Sequence, residues 1–179
     1  MNITVYLGAN PGTTPALALA AEELGRFIGQ NGHTLIYGGS KTGLMGRLAQ
    51  SALAARAPVI GVEPRFFVEE ELQLEGLTQL IVTETMAQRK TKMIELGDAF
   101  IAFPGGTGTL EEITEVMSQV SLGHLTAPCI LYNLNGYYAP LQALLTRMIE
   151  TGLSSPKRQQ GISFADNLAD IAAILAASP

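Results

Sequence analysis

The sequence predicts one α/β domain over residues 1–179, a doubly wound parallel sheet with helices on both faces. Three observations lead there. Short apolar runs alternate with amphipathic helical stretches along almost the whole chain, which implies parallel strands joined by crossover helices. The runs are apolar throughout and do not alternate with polar residues, as strands read when helices cover both faces. Glycine-rich turns follow Leu7, Tyr37 and Phe103, and such turns sit at the carboxyl ends of strands, where open α/β sheets bind ligands.

The first strand runs from Ile3 to Leu7 and stops at Gly8. A helix follows, because Leu17, Ala20, Ala21, Leu24, Phe27 and Ile28 share one face at helical spacing. Thr14 is placed to cap it, with Pro15 at the first helical position and Asn31-Gly32 as its stop. His33–Tyr37 is the second strand and Leu44–Arg56 the second helix. Pro58–Val62 is a third strand. Glu63 to Gly76 is acidic and reads as an irregular excursion at the rim. Leu80–Thr83 is a strand, Met86–Leu96 a helix and Ala99–Phe103 a fifth strand. A helix then runs from the third glycine-rich turn to about Leu122. Cys129–Tyr132 is the sixth strand, and helices over Leu141–Ile149 and Ala165–Ala176 finish the chain.

Composition narrows the function. An apolar fraction of 47% with 15% charged residues describes a globular chain. The net charge of −5 offers no broad basic surface for nucleic acid, so an anionic ligand needs a local device of backbone amides and one or two cations. Cys129 is the sole cysteine, so no internal disulfide forms, and a reducing, cytoplasmic setting is expected. Met1 to Val5 reads as a strand, not as a signal peptide, and no stretch of about 18 apolar residues suggests a membrane span.

The sharpest motif is Pro104-Gly105-Gly106-Thr107-Gly108-Thr109, which joins a strand to a helix. Glycines allow close backbone approach to a ligand. A helix N-terminus presents unpaired N–H groups and partial positive charge, so the turn can cradle a phosphate without a lysine. The purely structural alternative is a tight turn with Thr109 as cap and Glu112 closing a capping box. Glu111, Glu112 and Glu115 follow on the helix. Dipole stabilisation accounts for such runs, yet a carboxylate beside a bound sugar phosphate suits oxocarbenium stabilisation or activation of water. Arg89-Lys90 lies near a helix start, where cations are unexpected unless they grip a phosphate or pair with Glu84 or Glu95.

Other motifs are weaker. The segment Gly38-Gly39-Ser40-Lys41-Thr42-Gly43 fails the spacing of an ATP-binding P-loop. Gly8-Ala9-Asn10-Pro11-Gly12 lacks the dinucleotide G-x-G-x-x-G pattern, which argues against an NAD enzyme. His33 and His124 read as structural, Cys129 as a buried inert thiol, and no spacing suggests a metal site.

Met86-Ala87-Gln88-Arg89-Lys90 followed by Pro104-Gly105-Gly106-Thr107-Gly108-Thr109-Leu110-Glu111-Glu112 resembles the LOG family, the cytokinin riboside 5′-monophosphate phosphoribohydrolases once labelled lysine decarboxylases. Tyr37-Gly38-Gly39, Gly43-Leu44-Met45-Gly46 and Asn135-Gly136-Tyr137-Tyr138 add to the likeness, which spans about Val5 to Gly152. Ala87 stands where family members often carry His. Ser40 replaces a common Gly, and Ala9 and Asn10 replace serines, so these departures bear on the base or N6-substituent preference, which the resemblance does not carry over. The resemblance implies a Rossmann-like subunit, a homodimer, no cofactor, and hydrolysis of an adenine-type nucleoside monophosphate to free base and ribose 5-phosphate. It assigns catalysis to Arg89 and Glu112. Substrate binding falls on Met86, Lys90, Gly105, Gly106, Thr107, Gly108, Thr109 and Glu111, with Gly8, Gly38 and Gly39 from the other two turns. Two other function classes fit parts of the sequence: a nucleotide-binding or sensing module without turnover, and an amino-acid decarboxylase using Lys90 with pyridoxal phosphate.

Overall fold

A computed structural model describes residues 1–178. Its centre is a seven-stranded parallel sheet. The first half comprises β1 (Asn2–Tyr6), α1 (Pro15–Gln30), β2 (Thr34–Tyr37), α2 (Gly43–Ala54), β3 (Val59–Pro64), α3 (Arg65–Glu69) and β4 (Gln79–Thr83). The second half comprises α4 (Met86–Leu96), β5 (Ala99–Ala102), α5 (Thr107–Ser121), β6 (Cys129–Tyr132), α6 (Ala139–Glu150), β7 (Ile162–Ala165) and α7 (Leu168–Ala176). The strand order is β4-β3-β2-β1-β5-β6-β7. Winding therefore reverses between β1 and β5, and a crevice opens there at the strands' carboxyl ends.

Apolar residues fill both faces of the sheet. One cluster joins Leu24 and Ile28 of α1, Leu48 of α2 and Ile171 of α7 to Ile3, Val5, Leu35 and Ile101. The other joins Met93 of α4, Ile113 and Val116 of α5 and Leu145 of α6 to Tyr6, Ile36, Phe100 and Leu131. Alternate residues of each strand feed opposite clusters, which is why the central strands show no polar face.

Three local expectations are corrected. A seventh strand, β7, pairs Ile162–Ala165 with Cys129–Tyr132. It is a short, half-buried edge strand containing Ser163, so its signal merged with the helix after it. That helix begins at Leu168, where the Asn167 side chain accepts a hydrogen bond from Asp170 N at 3.0 Å. The segment from Glu63 is also more ordered than its acidity suggests. Glu63 and Pro64 end β3 in register with Val82 and Thr83, and Arg65–Glu69 forms α3. Beyond α3 the chain folds back over the β2 turn: Lys41 N donates to Leu72 O and Leu74 N donates to Gly39 O.

Among the described residues no helix is long and apolar enough to cross a membrane.

Candidate active site

The turn after β5 becomes a helix start because Gly106, with extended backbone, serves as N-cap of α5. The first turn-closing bond is Leu110 N to Gly106 O at 3.1 Å. The amides of Thr107, Gly108 and Thr109 precede it, so they are the donors an α-helix leaves open to a ligand. The capping-box alternative is overturned. Gly106 occupies the cap position, Thr109 is buried within the helix, and Glu112 is engaged elsewhere.

Two tyrosines brace this turn from behind. Tyr138 Oη donates to Phe103 O at 2.8 Å, and Tyr137 Oη donates to Gly105 O at 2.5 Å. Asn133 fixes their position, since its Oδ1 accepts from Tyr138 N at 2.7 Å and its Nδ2 donates to Asp166 at 2.8 Å.

Arg89 reaches the crevice from α4. Thr85 caps that helix through Gln88 N, which sets Arg89 one turn in and facing the sheet. Its Nε donates to Val62 O at 3.0 Å and its Nη1 donates to Glu112 Oε1 at 2.5 Å. Nη2 lies against Gly38 so closely that a Cβ there would fall 2.3 Å away. Arg89 and Glu112 retain only 8% and 7% exposure. Burial raises the Glu112 carboxyl above the ordinary carboxylate range, and the neighbouring guanidinium pulls the other way. The result is a carboxylate with enhanced basicity, held in one orientation by a fixed cation.

Two chambers meet at Arg89. The first, about 320 Å³, is lined by Gly8, Ala9, Asn10, Met86, Gly106, Thr107, Gly108, Thr109, Glu111 and Glu112 as well as Leu7 and Arg89. The second, about 270 Å³, is lined by Gly38, Ser40, Thr42, Met45, Glu63, Phe67 and Leu72, and shares Ala9 and Arg89 with the first. Most residues singled out from sequence thus converge on the crevice. Gly105 and Gly39 stand behind it, their carbonyls taking Tyr137 Oη and Tyr37 Oη. Lys90 turns away: its ammonium bridges Glu111 at 2.7 Å and Glu115 at 3.1 Å, not Glu84 or Glu95. Those carboxylates hold the lysine's proton more firmly than usual.

Sequence reasoning did not assign Glu63, Phe67 or Leu72 to the site, and it noted Met45 only as part of the Gly43-Leu44-Met45-Gly46 likeness. The only signal for Glu63 was a charge adjoining an apolar run, and Phe67 and Leu72 sit in the stretch from α3 onward whose return over the β2 turn no local pattern encodes. Among the described residues no group of three or more His, Cys, Asp or Glu is placed to hold a metal ion.

Residues 45–175 match the protein family described as "Possible lysine decarboxylase". The chain is 44% identical over 156 residues to the cytokinin riboside 5′-monophosphate phosphoribohydrolase of Rhodococcoides fascians, covering 87% of this chain and 79% of that one. It is 36% identical over 168 residues to the enzyme of the same name from Mycobacterium tuberculosis, covering 94% and 89%. Among solved structures, the molybdenum cofactor carrier protein of Chlamydomonas reinhardtii superposes with a TM-score of 0.71 at 21% identity, covering 98% of both chains. That likeness is one of fold.

Proposed function

The chain belongs to the LOG family of cytokinin riboside 5′-monophosphate phosphoribohydrolases, and we propose that Arg89 and Glu112 are the pair with which it hydrolyses the N-glycosidic bond of a nucleoside 5′-monophosphate. The products are a free base and ribose 5-phosphate. The observation that carries the assignment of residues is the buried Arg89–Glu112 contact, seated where the amide cradle and the second chamber meet.

In this reading the 5′-phosphate rests on the amides of Thr107, Gly108 and Thr109, where the α5 dipole and open N–H groups favour an anion. Arg89 orients the ribose through its remaining donors. As the C1′–N bond breaks, its electron pair leaves with the base and positive charge develops across C1′ and the ring oxygen. Glu112 lies beside that charge. Its carboxylate stabilises it and accepts a proton from the water that adds to C1′, and uptake of one proton by the departing base balances the step, so that water supplies hydroxyl to C1′ and, in net, hydrogen to the base. A buried carboxylate is effective here because little water screens it.

A pure phosphate binder gains nothing from an anionic Glu112 beside its cradle. A pyridoxal-dependent decarboxylase needs a lysine that readily gives up its proton, whereas Lys90 is tied to two carboxylates. The test is to incubate the purified protein, without added cofactor, with AMP and with an N6-prenylated AMP and to chromatograph for free base. Binding without base release would leave a nucleotide-sensing module as the function. We further propose a homodimer. Met86, which lines the first chamber, and Leu110 in the first turns of α5 are exposed apolar side chains suited to a contact between copies, and light scattering of the eluted protein tests it.

A further inference from the structure

Glu63 has no part in the reaction outlined above, yet it is the most completely buried carboxylate near it, with 1% exposure at the end of β3. Its Oε2 is buried without a hydrogen-bond partner. Among the described residues the only other such side-chain atom is Gln73 Oε1, which does not line either chamber. Glu63 does line the second chamber, opposite the apolar side chains of Met45, Phe67 and Leu72. An unpartnered buried oxygen is costly, so one that faces a cavity marks where a ligand donor completes the site.

The cleft also dictates what reaches Glu63. With phosphate on the α5 amides, the sugar lies by Arg89 and Glu112, and the next space is the second chamber, which shares Ala9 and Arg89 with the first. A flat heterocycle suits apolar walls with one polar anchor. We propose that Glu63 is the residue that reads the base, pairing with an edge that sets a ring nitrogen beside an exocyclic N–H, as an aminopurine does. The carboxyl O–H donates to the ring nitrogen and the carbonyl oxygen accepts from the exocyclic N–H. Burial supports this role by raising the Glu63 carboxyl from 4.5 to about 7, which keeps its proton available near neutrality. The titratable and charged groups that face it are Arg89 from α4, which opposes the rise, and Tyr37 from β2, which burial and Glu63 itself keep protonated. The inference rests on the phosphoribohydrolase reading.

The experiment compares the binding of AMP and of purine riboside 5′-monophosphate, which lacks the exocyclic amine, by calorimetry in the non-turning-over Glu112→Gln background. AMP is expected to bind roughly tenfold more tightly, the worth of one buried hydrogen bond. Adding Glu63→Gln preserves that preference, because the amide donates and accepts in the same places. Adding Glu63→Leu brings the ratio close to one. Raising pH from 6 to 8.5 weakens the binding of both nucleotides with Glu63, because the O–H donor to the ring nitrogen is lost, and this loss is absent with Gln. An unchanged ratio in the Glu63→Leu variant overturns the assignment even if the protein melts at a different temperature. Base release from AMP by the unaltered protein tests the hydrolase reading separately, and absence of all nucleotide binding overturns both.

Discussion

Nη1 of Arg89 lies 2.5 Å from Oε1 of Glu112, although the two side chains come from different helices on one face of the sheet. The contact spans the reversal of strand order. Arg89 is anchored to β3 through Val62 O and brushes Gly38 after β2, while Glu112 stands on the helix that follows β5. One ion pair thus ties together the elements that form the crevice.

Replacing Glu112 by Gln keeps an acceptor for Arg89 but removes the anion. Turnover of AMP should fall by about 10²–10⁴, the usual contribution of a positioned acid–base group, with a small change in melting temperature. Steady-state kinetics and calorimetry on the same preparation check this. Arg89→Ala should cost similar activity and also on the order of 3 kcal/mol of stability, because it strands a buried carboxylate.

Two glycines should respond in opposite ways. A Cβ on Gly38 would fall 2.3 Å from Arg89 Nη2 and from Met45 Cε, both ends of flexible side chains. Gly38→Ala should therefore leave a folded protein with a displaced Arg89 and poor turnover. At Gly43, φ is +52° and a Cβ would lie 1.4 Å from the carbonyl oxygen of Ala9, a backbone atom that cannot step aside. Gly43→Ala should lower stability by about 3 kcal/mol or more. Urea midpoints and AMP kinetics separate the two cases.

The bracing tyrosines divide stability from binding. Tyr138→Phe leaves the buried Phe103 carbonyl without its donor and should cost about 1–3 kcal/mol. Tyr137 is half exposed, so Tyr137→Phe should cost less than about 1 kcal/mol. Its effect should appear as a raised KM for AMP, because Gly105 precedes the amides proposed to receive the phosphate. An unchanged KM would free Tyr137 from that role.

Stability should fall as pH rises from about 4.5 to about 7 because of Glu63. Over that window the folded state holds a proton that the unfolded chain has released, so unfolding loses a proton and higher pH favours it. The raised carboxyl corresponds to roughly 3–4 kcal/mol at most. Glu112, also raised, acts in the same sense. Glu63→Gln should therefore flatten most of the slope between pH 5 and pH 8 in denaturant titrations. A slope identical to that of the unaltered protein would remove Glu63 as its source.

Much of this molecule is legible locally. Runs such as Phe100–Phe103 and the face shared by Leu24 and Ile28 declare strand and helix, because burial on two faces and on one stripe leave different periods. The strand β7 was hidden for the converse reason: a half-buried edge of four residues leaves almost no period to read. The glycine-rich turn before α5 marked a candidate anion site, since open amides at a helix start follow from covalent geometry alone.

By itself, then, the sequence determined the layered parallel sheet, and it pointed to the amide turn and, through its resemblance to a family, to Arg89 and Glu112 as the pair to propose. Tertiary structure decided the rest. Lys90 follows Arg89 directly, yet helical rotation sends it to Glu111 and Glu115 while Arg89 faces the crevice. Glu63 became a candidate for base recognition only once β3 buried it and the returning segment brought Phe67 and Leu72 around the same cavity. Periodicity records which residues leave water, but partners are set by distances between elements far apart in the chain, and a single sequence does not carry those distances in any local pattern.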